Sequence, residues 1–303
     1  AYNLTLMEKV ILYYKFYPGE AQDMVVLWQK ELCKRLSLKG RIIVSKHGIN
    51  GTLGGEVTQL KDYIKEMNLT FFKGITYKWS DGRADDFPRL SVKHRPELVA
   101  FGAPDEIKVN EKGVVGAGKH LKPADLHKLV EERGDDVVFF DGRNAYEAQI
   151  GKFKNAVIPN VRTSHDFIKD LEDPKYEAIK DKPVVSYCTG GIRCEALSAL
   201  MKNRGFKEVY QIDGGIVKYG EKYADDGLWE GSLYIFDKRM NMTFSDKAKT
   251  IGKCSKCGGK TSNFENCAYK PCNNLVLMCE TCHAKDDTCK PECLEKLAVY
   301  SGK

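Results

Sequence analysis

The chain has 303 residues, of which 42% are hydrophobic and 30% are charged, and this is the composition of an ordinary globular protein. A chain of this length suggests about two domains, and its composition excludes a disordered or collagen-like protein. No run of residues approaches the roughly 20 apolar positions that a membrane-spanning helix needs, and no secretory signal is visible. We therefore expect a cytoplasmic protein that does not associate with a membrane.

Charge is distributed unevenly around a net value of +6. Residues 1–118 carry 18 basic and 14 acidic side chains, residues 119–237 carry 18 and 21, and residues 238–303 carry 12 and 7. Two basic flanks around an acidic centre can bind a polyanion, although a solvated lysine-rich surface has the same composition.

Residues 1–101 alternate between strand-like and helix-like segments. The predicted strands are residues 10–14, 41–44, 75–79 and 90–93. The predicted helices are residues 21–38 and 56–67. This order favours a ferredoxin-like α+β domain, followed by a linker over residues 102–120. Cys33 lies beside the apolar stripe of the first helix, where we expect a buried structural thiol.

From residue 121 onward, short apolar strands alternate with helices. The predicted strands are residues 137–140, 156–158, 184–187 and 209–211, and the predicted helices are residues 121–132 and 195–203. This alternation predicts an α/β domain over residues 121–237, with a parallel sheet and helices on both faces. Asp141 and Cys188 follow directly after strands, at the carboxyl edge where such sheets form their sites.

The sharpest chemical feature is a cysteine loop between an apolar strand and a helix. Its residues are Cys188, Thr189, Gly190, Gly191, Ile192, Arg193 and Cys194. The adjacent glycines let backbone N–H groups turn inward, the helix directs its positive end to the same place, and Arg193 adds a fixed charge. These effects favour a thiolate, so we predict a lowered pKa and a nucleophilic role for Cys188. The alternative is a buried structural cysteine in a turn.

Residues 121–229 resemble a rhodanese domain. The resemblance is carried by Asp141, Gly142, Arg143, Glu147, the stretch 151–156 and the cysteine loop, with Lys152 where that family usually has histidine. Cys188 to Arg193 span six residues, as in rhodaneses, whereas the related phosphatases have one more, which disfavours phosphatase activity. Cys194 is expected either to resolve an oxidised Cys188 as a disulfide or to pack within the helix.

A second motif, HGINGTLGG, runs from His47 to Gly55 in what the sequence indicates is a glycine-rich turn between a strand and a helix. Together with the cysteine loop and a cysteine-rich tail, it resembles the oxygen-dependent tRNA uridine hydroxylases over nearly the whole chain. The resemblance implies hydroxylation at C5 of the wobble uridine, U34, to 5-hydroxyuridine. It also implies molecular oxygen as co-substrate, the anticodon loop of tRNA as partner and Cys188 as the required residue. No flavin, haem or nucleotide motif and no obligate protein partner is evident.

Two chemical hypotheses fit Cys188. Carbon 5 of uracil is a poor nucleophile until a group adds at C6, so the thiolate can add there and make C5 enolate-like. Alternatively, Cys188 itself carries the oxygen as a transient peroxidic or sulfenic species. The loop alone equally supports a sulfurtransferase that carries a persulfide on Cys188. A non-enzymatic RNA-binding module is a third possibility, against which the intact cysteine loop argues.

Contacts to substrate are predicted in two places. Lys46, His47 and Asn50 are candidates for RNA contact, or else for a purely structural turn. Asp141 and Arg143 lie near the cysteine loop by topology and are candidates for substrate binding. The aromatic residues of the first domain can stack on splayed bases, but we expect most of them in the core. They are Tyr13, Tyr14, Tyr17 and Trp28.

The tail, residues 238–303, contains eight cysteines and little hydrophobic periodicity. They are Cys254, Cys257, Cys267, Cys272, Cys279, Cys282, Cys289 and Cys293. Eight thiols with two C-x2-C units make two tetrahedral sets for a metal such as zinc, with His283 as a further candidate ligand. A reducing compartment favours metal over four disulfides. Spacing does not show which four share a metal, and the tail is expected either to bind RNA or to serve as a structural lid.

Overall fold

The computed structural model describes residues 7–301, so the ends of the first and last predicted domains, residues 1–6 and 302–303, lie outside the described residues. The chain divides into two compact units. One contains the described residues up to Asn144 together with Val157–Lys222, and the other contains Ala145–Ala156 together with the chain from Tyr223 onward. Among the described residues, none of the helices has the length and apolar character needed to cross a membrane.

The first unit begins with a five-stranded sheet whose helices share one hydrophobic core. Its strands are β1 (Glu8–Phe16), β2 (Lys39–Ser45), β3 (Gly48–Glu56), β4 (Lys78–Ser80) and β5 (Leu90–His94). Its helices are α1 (Gln22–Arg35) and α2 (Val57–Asn68). The strand order is β4-β1-β3-β2-β5, and all pairs are antiparallel except β2–β5. This is the predicted ferredoxin-like domain, with β5 added at one edge.

The predicted glycine-rich turn is wrong, because the structure has the central strand β3 there. Tyr13 on β1 lies opposite Gly51, and a Cβ on Gly51 would lie 2.3 Å from the Tyr13 ring. A Cβ on Gly54 would lie 2.6 Å from the carbonyl oxygen of Arg83. The glycines therefore make room for close neighbours within a strand, which a sequence pattern cannot distinguish from turn chemistry.

The same unit continues into a four-stranded parallel sheet. A short hairpin of β6 (Val109–Asn110) and β7 (Gly113–Val114) comes first. The next strands are β8 (Lys119–Leu121), β9 (Val138–Asp141), β10 (Gly151–Phe153), β11 (Pro183–Tyr187) and β12 (Glu208–Ile212), of which β10 belongs to the second unit. The helices are α3 (Pro123–Arg133), α4 (Ala145–Ala148), α5 (Phe167–Leu171), α6 (Ile192–Asn203) and α7 (Gly215–Tyr223), of which α4 also belongs to the second unit. The sheet order is β8-β12-β11-β9.

Burial shows how this sheet is covered. All five residues of β11 are buried, as a strand with helices on both faces requires. Phe140, Val184 and Leu197 share one core with residues of α5 and α6. The strand predicted at residues 156–158 is instead a single bridge between Phe140 and Val157. The chain cannot continue that ladder for long, because Pro159 has no N–H to donate.

The second unit has small sheets and a small core. Its further strands are β13 (Trp229–Gly231), β14 (Leu233–Tyr234), β15 (Asn241–Met242), β16 (Phe264–Asn266) and β17 (Leu275–Leu277). Its further helices are α8 (Glu280–Lys285) and α9 (Pro291–Ser301). β10 pairs with β13, β14 with β15 and β16 with β17. One of its clusters of buried side chains consists of Ile150, Tyr234, Phe264 and Leu277.

Candidate functional site

The cysteine loop joins β11 to α6 at the carboxyl edge of the parallel sheet. Cys188 follows the last residue of β11, and α6 begins at Ile192. Gly191 has a φ of +100°, a backbone conformation that favours glycine, and its N–H donates to Cys188 Sγ over 3.2 Å. The Cys188 side chain is fully buried. The loop therefore turns backbone donors toward the sulfur, as the glycine pair predicts.

The environment of Cys188 stabilises its thiolate. Burial raises the pKa, but the hydrogen bond with Cys194, the charge of Arg193 and backbone N–H groups outweigh it and lower the pKa well below that of an ordinary thiol, to about 6. The Arg193 guanidinium also donates to Thr189 Oγ1 over 3.3 Å, which ties the charge to the loop. At neutral pH the sulfur of Cys188 is mainly ionised.

Cys194 is the partner of that thiolate. Its side chain is 1% exposed, on the first turn of α6. Burial raises the pKa of Cys194, and so does the thiolate of Cys188 to which its S–H is hydrogen-bonded. Cys194 therefore stays protonated, and its S–H group donates a hydrogen bond to the Cys188 thiolate. The structure brings the two sulfurs together, and a resolving role for Cys194 stays a prediction.

Asp141 and Arg143 lie behind the loop rather than on an open surface. Both side chains are fully buried, and the guanidinium donates to the two carboxylate oxygens over 2.9 and 2.6 Å. The N–H of Gly142 donates to the carbonyl oxygen of Tyr187 over 2.8 Å, and the Arg143 guanidinium lies 5.7 Å from the centre of the Tyr187 ring. This arrangement connects the end of β9 to the end of β11, just before Cys188.

The first sheet covers the cysteine loop with its face opposite the helices. Tyr13 points into the core, so its neighbours Leu12 and Tyr14 point to the other face. Lys78 on β4 donates to the carbonyl oxygen of Gly190 over 2.5 Å and lies 4.9 Å from the centre of the Tyr14 ring. A Cβ on Gly190 would lie 2.5 Å from Leu12. The loop glycines thus serve a second purpose, which is close contact with the first sheet.

A cavity of about 890 Å³ lies beside this contact. Tyr14 and Lys78 of the first sheet line it, together with His120 of β8, Glu195 of α6 and Asp213, which follows β12. Glu195 Oε1 accepts from the Tyr14 hydroxyl over 3.2 Å and lies 3.1 Å from His120 Nε2. The hydrogen bond to Glu195 raises the pKa of His120. The cavity therefore has both carboxylates and cationic donors on its wall.

Sequence reasoning missed most of this wall. The sequence predicts most of the four aromatic residues in the core, where Tyr13 lies and Trp28 packs against it, but Tyr14 lies on the opposite face of β1. The alternation along a strand could have separated Tyr14 from Tyr13. Glu195 directly follows the cysteine loop in the chain and has no predicted role. Lys78 and His120 carried no signal, because the sequence does not show which faces of two domains meet.

Three candidates for RNA contact lie elsewhere in this unit. The Lys46 ammonium pairs with Asp105 over 2.7 Å, and His47 Nε2 lies 3.0 Å from the carbonyl oxygen of Pro104. Asn50 lies on β3, opposite Tyr14 in the register. None of Lys46, His47 and Asn50 lines the cavity beside the cysteine loop. Cys33 is fully buried in the core of the first sheet, and burial raises its pKa to about 12.

The eight tail cysteines form two groups that can each hold a metal ion. One group contains Cys254, Cys257, Cys279 and Cys282, and the other contains Cys267, Cys272, Cys289 and Cys293. The sulfur atoms within each group lie within 4.8 Å of one another. The two groups are interleaved along the chain, because two cysteines of one group are followed by two of the other, and this order then repeats. His283 belongs to neither group.

The sulfur separations have the spacing of metal ligands. Cys257 Sγ lies 3.7 Å from Cys279 Sγ, and Cys272 Sγ lies 3.5 Å from Cys289 Sγ. Zinc–sulfur bonds of about 2.3 Å in a tetrahedron place neighbouring sulfurs about 3.8 Å apart. All eight thiols are unbonded to one another, so the structure shows none of the four disulfides that the sequence left open.

Three family models match successive parts of the chain. A UPF0176 acylphosphatase like domain matches residues 8–98, a rhodanese-like domain matches residues 122–222, and a rhodanase C-terminal model matches residues 230–294. The second of these matches contains the cysteine loop, and the third contains all eight tail cysteines.

Curated relatives match over nearly the full length. A tRNA uridine(34) hydroxylase of Corynebacterium jeikeium (strain K411) is 61% identical over 298 residues, which covers 97% of this chain and 96% of the relative. Proteins of the same name from Corynebacterium urealyticum and Arthrobacter sp. (strain FB24) are 62% and 61% identical over 286 residues, covering 94% and 93% of this chain and 96% of each relative. This chain belongs to the tRNA uridine(34) hydroxylase family.

Proposed function

We propose that this protein is an oxidoreductase that hydroxylates C5 of the wobble uridine in tRNA. The observation that carries the proposal is the intact cysteine loop, with a buried and ionised Cys188, in a chain about 60% identical to proteins named tRNA uridine(34) hydroxylase. A tRNA substrate also implies a cytoplasmic place of action.

Cys188 supplies the nucleophile in this proposal. Its sulfur forms a bond to C6 of the uracil ring, and the electron pair of the C5–C6 double bond moves into the C4 carbonyl as an enolate. C5 then takes one oxygen atom from molecular oxygen. Two electrons from an external reductant and two protons convert the other oxygen atom to water. Loss of the C5 proton and departure of the thiolate restore the ring with its new hydroxyl group.

The enclosure of Cys188 suits chemistry with reactive intermediates. The thiol is fully buried beneath Tyr14 and Lys78 of the first sheet. Exclusion of water protects such intermediates from side reactions. Either a uracil ring or a sulfur acceptor reaches Cys188 only when this cover moves, so the preference for hydroxylation rests on the relatives and not on burial.

The tail supplies structure rather than chemistry in this account. Its two groups of four thiols match the number, type and spacing of ligands in structural zinc sites, which have no open coordination position. The Cys279 N–H donates to Cys254 Sγ over 3.4 Å, and the Cys289 N–H donates to Cys267 Sγ over 3.3 Å. Such bonds stabilise thiolates and orient them. Zinc bound there would hold together a segment with a small apolar core.

Nucleoside analysis of tRNA tests the proposed function. Total tRNA from cells with and without the gene is digested and measured by mass spectrometry. We expect 5-hydroxyuridine and nucleosides made from it to disappear with the gene and to return with the wild-type gene on a plasmid. Loss of a thiolated nucleoside with unchanged 5-hydroxyuridine would instead support the sulfurtransferase.

A further inference from the structure

Glu195 has an unusual position among the acidic residues of this unit. It lies on the first turn of α6, directly after Cys194, and it lines the cavity although its side chain is only 12% exposed. Its carboxylate is contacted from three elements: by Tyr14 of β1, by His120 of β8 and by Gln211 of β12. A carboxylate held this firmly presents its remaining acceptor capacity in a fixed direction.

The Glu195 carboxylate complements the N3–H of a uracil ring, which lies between the carbonyl acceptors O2 and O4. The Tyr14 hydroxyl and His120 Nε2 both contact Glu195 Oε1, whereas Oε2 accepts one hydrogen bond from Gln211. Since a carboxylate oxygen can accept two hydrogen bonds, Oε2 keeps acceptor capacity for the N3–H. Cytosine has an acceptor at N3, which a carboxylate repels. This wall therefore has the polarity to accept uracil and to reject cytosine.

The cavity also has room for the rest of a nucleoside, since its volume of about 890 Å³ is ample for a base and a ribose. Four lysines on the wall are offset by four acidic residues, so the cavity suits a neutral base better than a phosphate. The lysines are Lys15, Lys78, Lys112 and Lys218, and the acidic residues are Glu111, Glu195, Asp213 and Glu221.

Tyr14 lines the cavity and also contacts the cysteine loop. A Cβ on Gly191 would lie 2.9 Å from the Tyr14 hydroxyl, and the Gly191 N–H is bonded to Cys188 Sγ. Tyr14 therefore stands over the loop residue that contacts the sulfur. N3 and C6 lie on opposite sides of the uracil ring, so a base held at N3 by Glu195 leaves C6 free for the thiolate.

We propose that this cavity binds the target uridine and that Glu195 selects uracil by accepting its N3–H. The inference rests on the proposed function, since it names the residue that recognises the base to be hydroxylated. It makes Glu195 a specificity-determining residue and Tyr14 the side chain that moves aside when the base enters.

Binding of synthetic anticodon stem–loops tests this proposal. The probes carry uridine, cytidine or 3-methyluridine at position 34, and the Cys188→Ser protein prevents turnover while dissociation constants are measured by fluorescence anisotropy. We expect the uridine probe to bind about tenfold more tightly than either of the others, because only uridine offers N3–H to the carboxylate. Equal affinities for the three probes would overturn the proposal without any change to Glu195.

Variants then assign the preference to one carboxylate. Glu195→Gln in the same background is expected to bring the three affinities to within about twofold, mainly by weakening the uridine probe. Glu177→Gln, which removes a surface carboxylate paired with Lys180, is the matched control and should retain the tenfold preference. Tyr14→Phe removes a hydrogen bond to Glu195 but leaves the carboxylate, so it should retain most of the preference.

The outcomes separate this inference from the proposed function. An unchanged preference in Glu195→Gln overturns the role of Glu195, even if the protein hydroxylates U34. Absence of 5-hydroxyuridine formation overturns the proposed function, whatever the binding preference. If Glu195→Gln does not fold, equal affinities of the unmodified protein for the uridine and 3-methyluridine probes would still overturn the role of Glu195.

Discussion

The cysteine loop and the C-terminal tail both bring thiols close together, but in different surroundings. In the loop, Cys188 is fixed between the end of a buried strand and the start of a helix, and backbone N–H groups and Arg193 stabilise its charge. In the tail, eight thiols lie in two groups on short elements around a small apolar core. In the loop, the packed fold positions the sulfur. In the tail, the sulfurs stabilise the fold once they bind metal.

This difference shows that the region with the most cysteines is not the region with the reactive one. The tail has most of the thiols, yet a metal ion held by either group would take all four of its sulfurs as ligands and leave none free to react. The loop has two thiols, of which Cys188 is ionised and Cys194 stays protonated and donates a hydrogen bond to it.

The largest effect is expected from loss of metal in the tail. Freshly reduced protein should contain two zinc ions per chain by elemental analysis, and their removal should unfold the tail, since structural zinc contributes about 10 kcal/mol or more per site. The double variant Cys257→Ser, Cys282→Ser takes both ligands from one interleaved group, so one zinc ion should remain. If the groups instead followed one another along the chain, this variant would damage both sites and lose both ions.

The second effect concerns the backbone of the loop. Gly191→Ala introduces a side chain at a φ of +100° and 2.9 Å from the Tyr14 hydroxyl, so we expect a loss of about 2–3 kcal/mol in the free energy of unfolding. Gly116→Ala, at a φ of +78° in open space, is the control for backbone strain alone and should cost about 1 kcal/mol. Urea unfolding measures both values. Equal losses would show that the contact with Tyr14 is unimportant.

The third effect is on the ionisation of Cys188. Its pKa is lowered to about 6, so its alkylation rate should rise through pH 6 and level off above pH 7. Residue-resolved mass spectrometry after iodoacetamide treatment measures the profile. Cys194→Ala removes the S–H donor and should move the midpoint to higher pH, whereas Cys194→Ser retains a donor and should move it less. A midpoint near the ordinary thiol value of about 8.5 in the wild type would contradict the preset thiolate.

The smallest effect is expected at the contact between the first sheet and the loop. Lys78→Met removes the hydrogen bond to the Gly190 carbonyl oxygen, so the cover over Cys188 should open more often and its alkylation at pH 8 should accelerate about fivefold. Lys78→Arg keeps a donor and should change the rate less. An unchanged rate in Lys78→Met would show that this bond does not control access to the thiol.

The sequence predicted the parts of the fold that depend on local pattern. The apolar run that became β11, the glycine pair and the helix after it were predicted because each has a local physical signal. β3 was missed, because its glycines make room for neighbours such as the Tyr13 ring and this reason exists only in the folded sheet. The cavity was missed because Tyr14, Lys78 and His120 meet Glu195 and the loop only through tertiary packing. The grouping of tail thiols likewise depends on chain crossings that spacing does not encode.

The most direct test of the central claim compares two buried cysteines of the first unit. A strain without the gene is complemented with the wild type, with Cys188→Ala or with Cys33→Ala, where Cys33 is a core thiol whose pKa burial raises to about 12. Protein levels are matched by immunoblot, and 5-hydroxyuridine in tRNA is measured by mass spectrometry. We predict that Cys33→Ala restores the nucleoside and that Cys188→Ala leaves it at the level of the deletion strain. Restoration by Cys188→Ala would contradict the account.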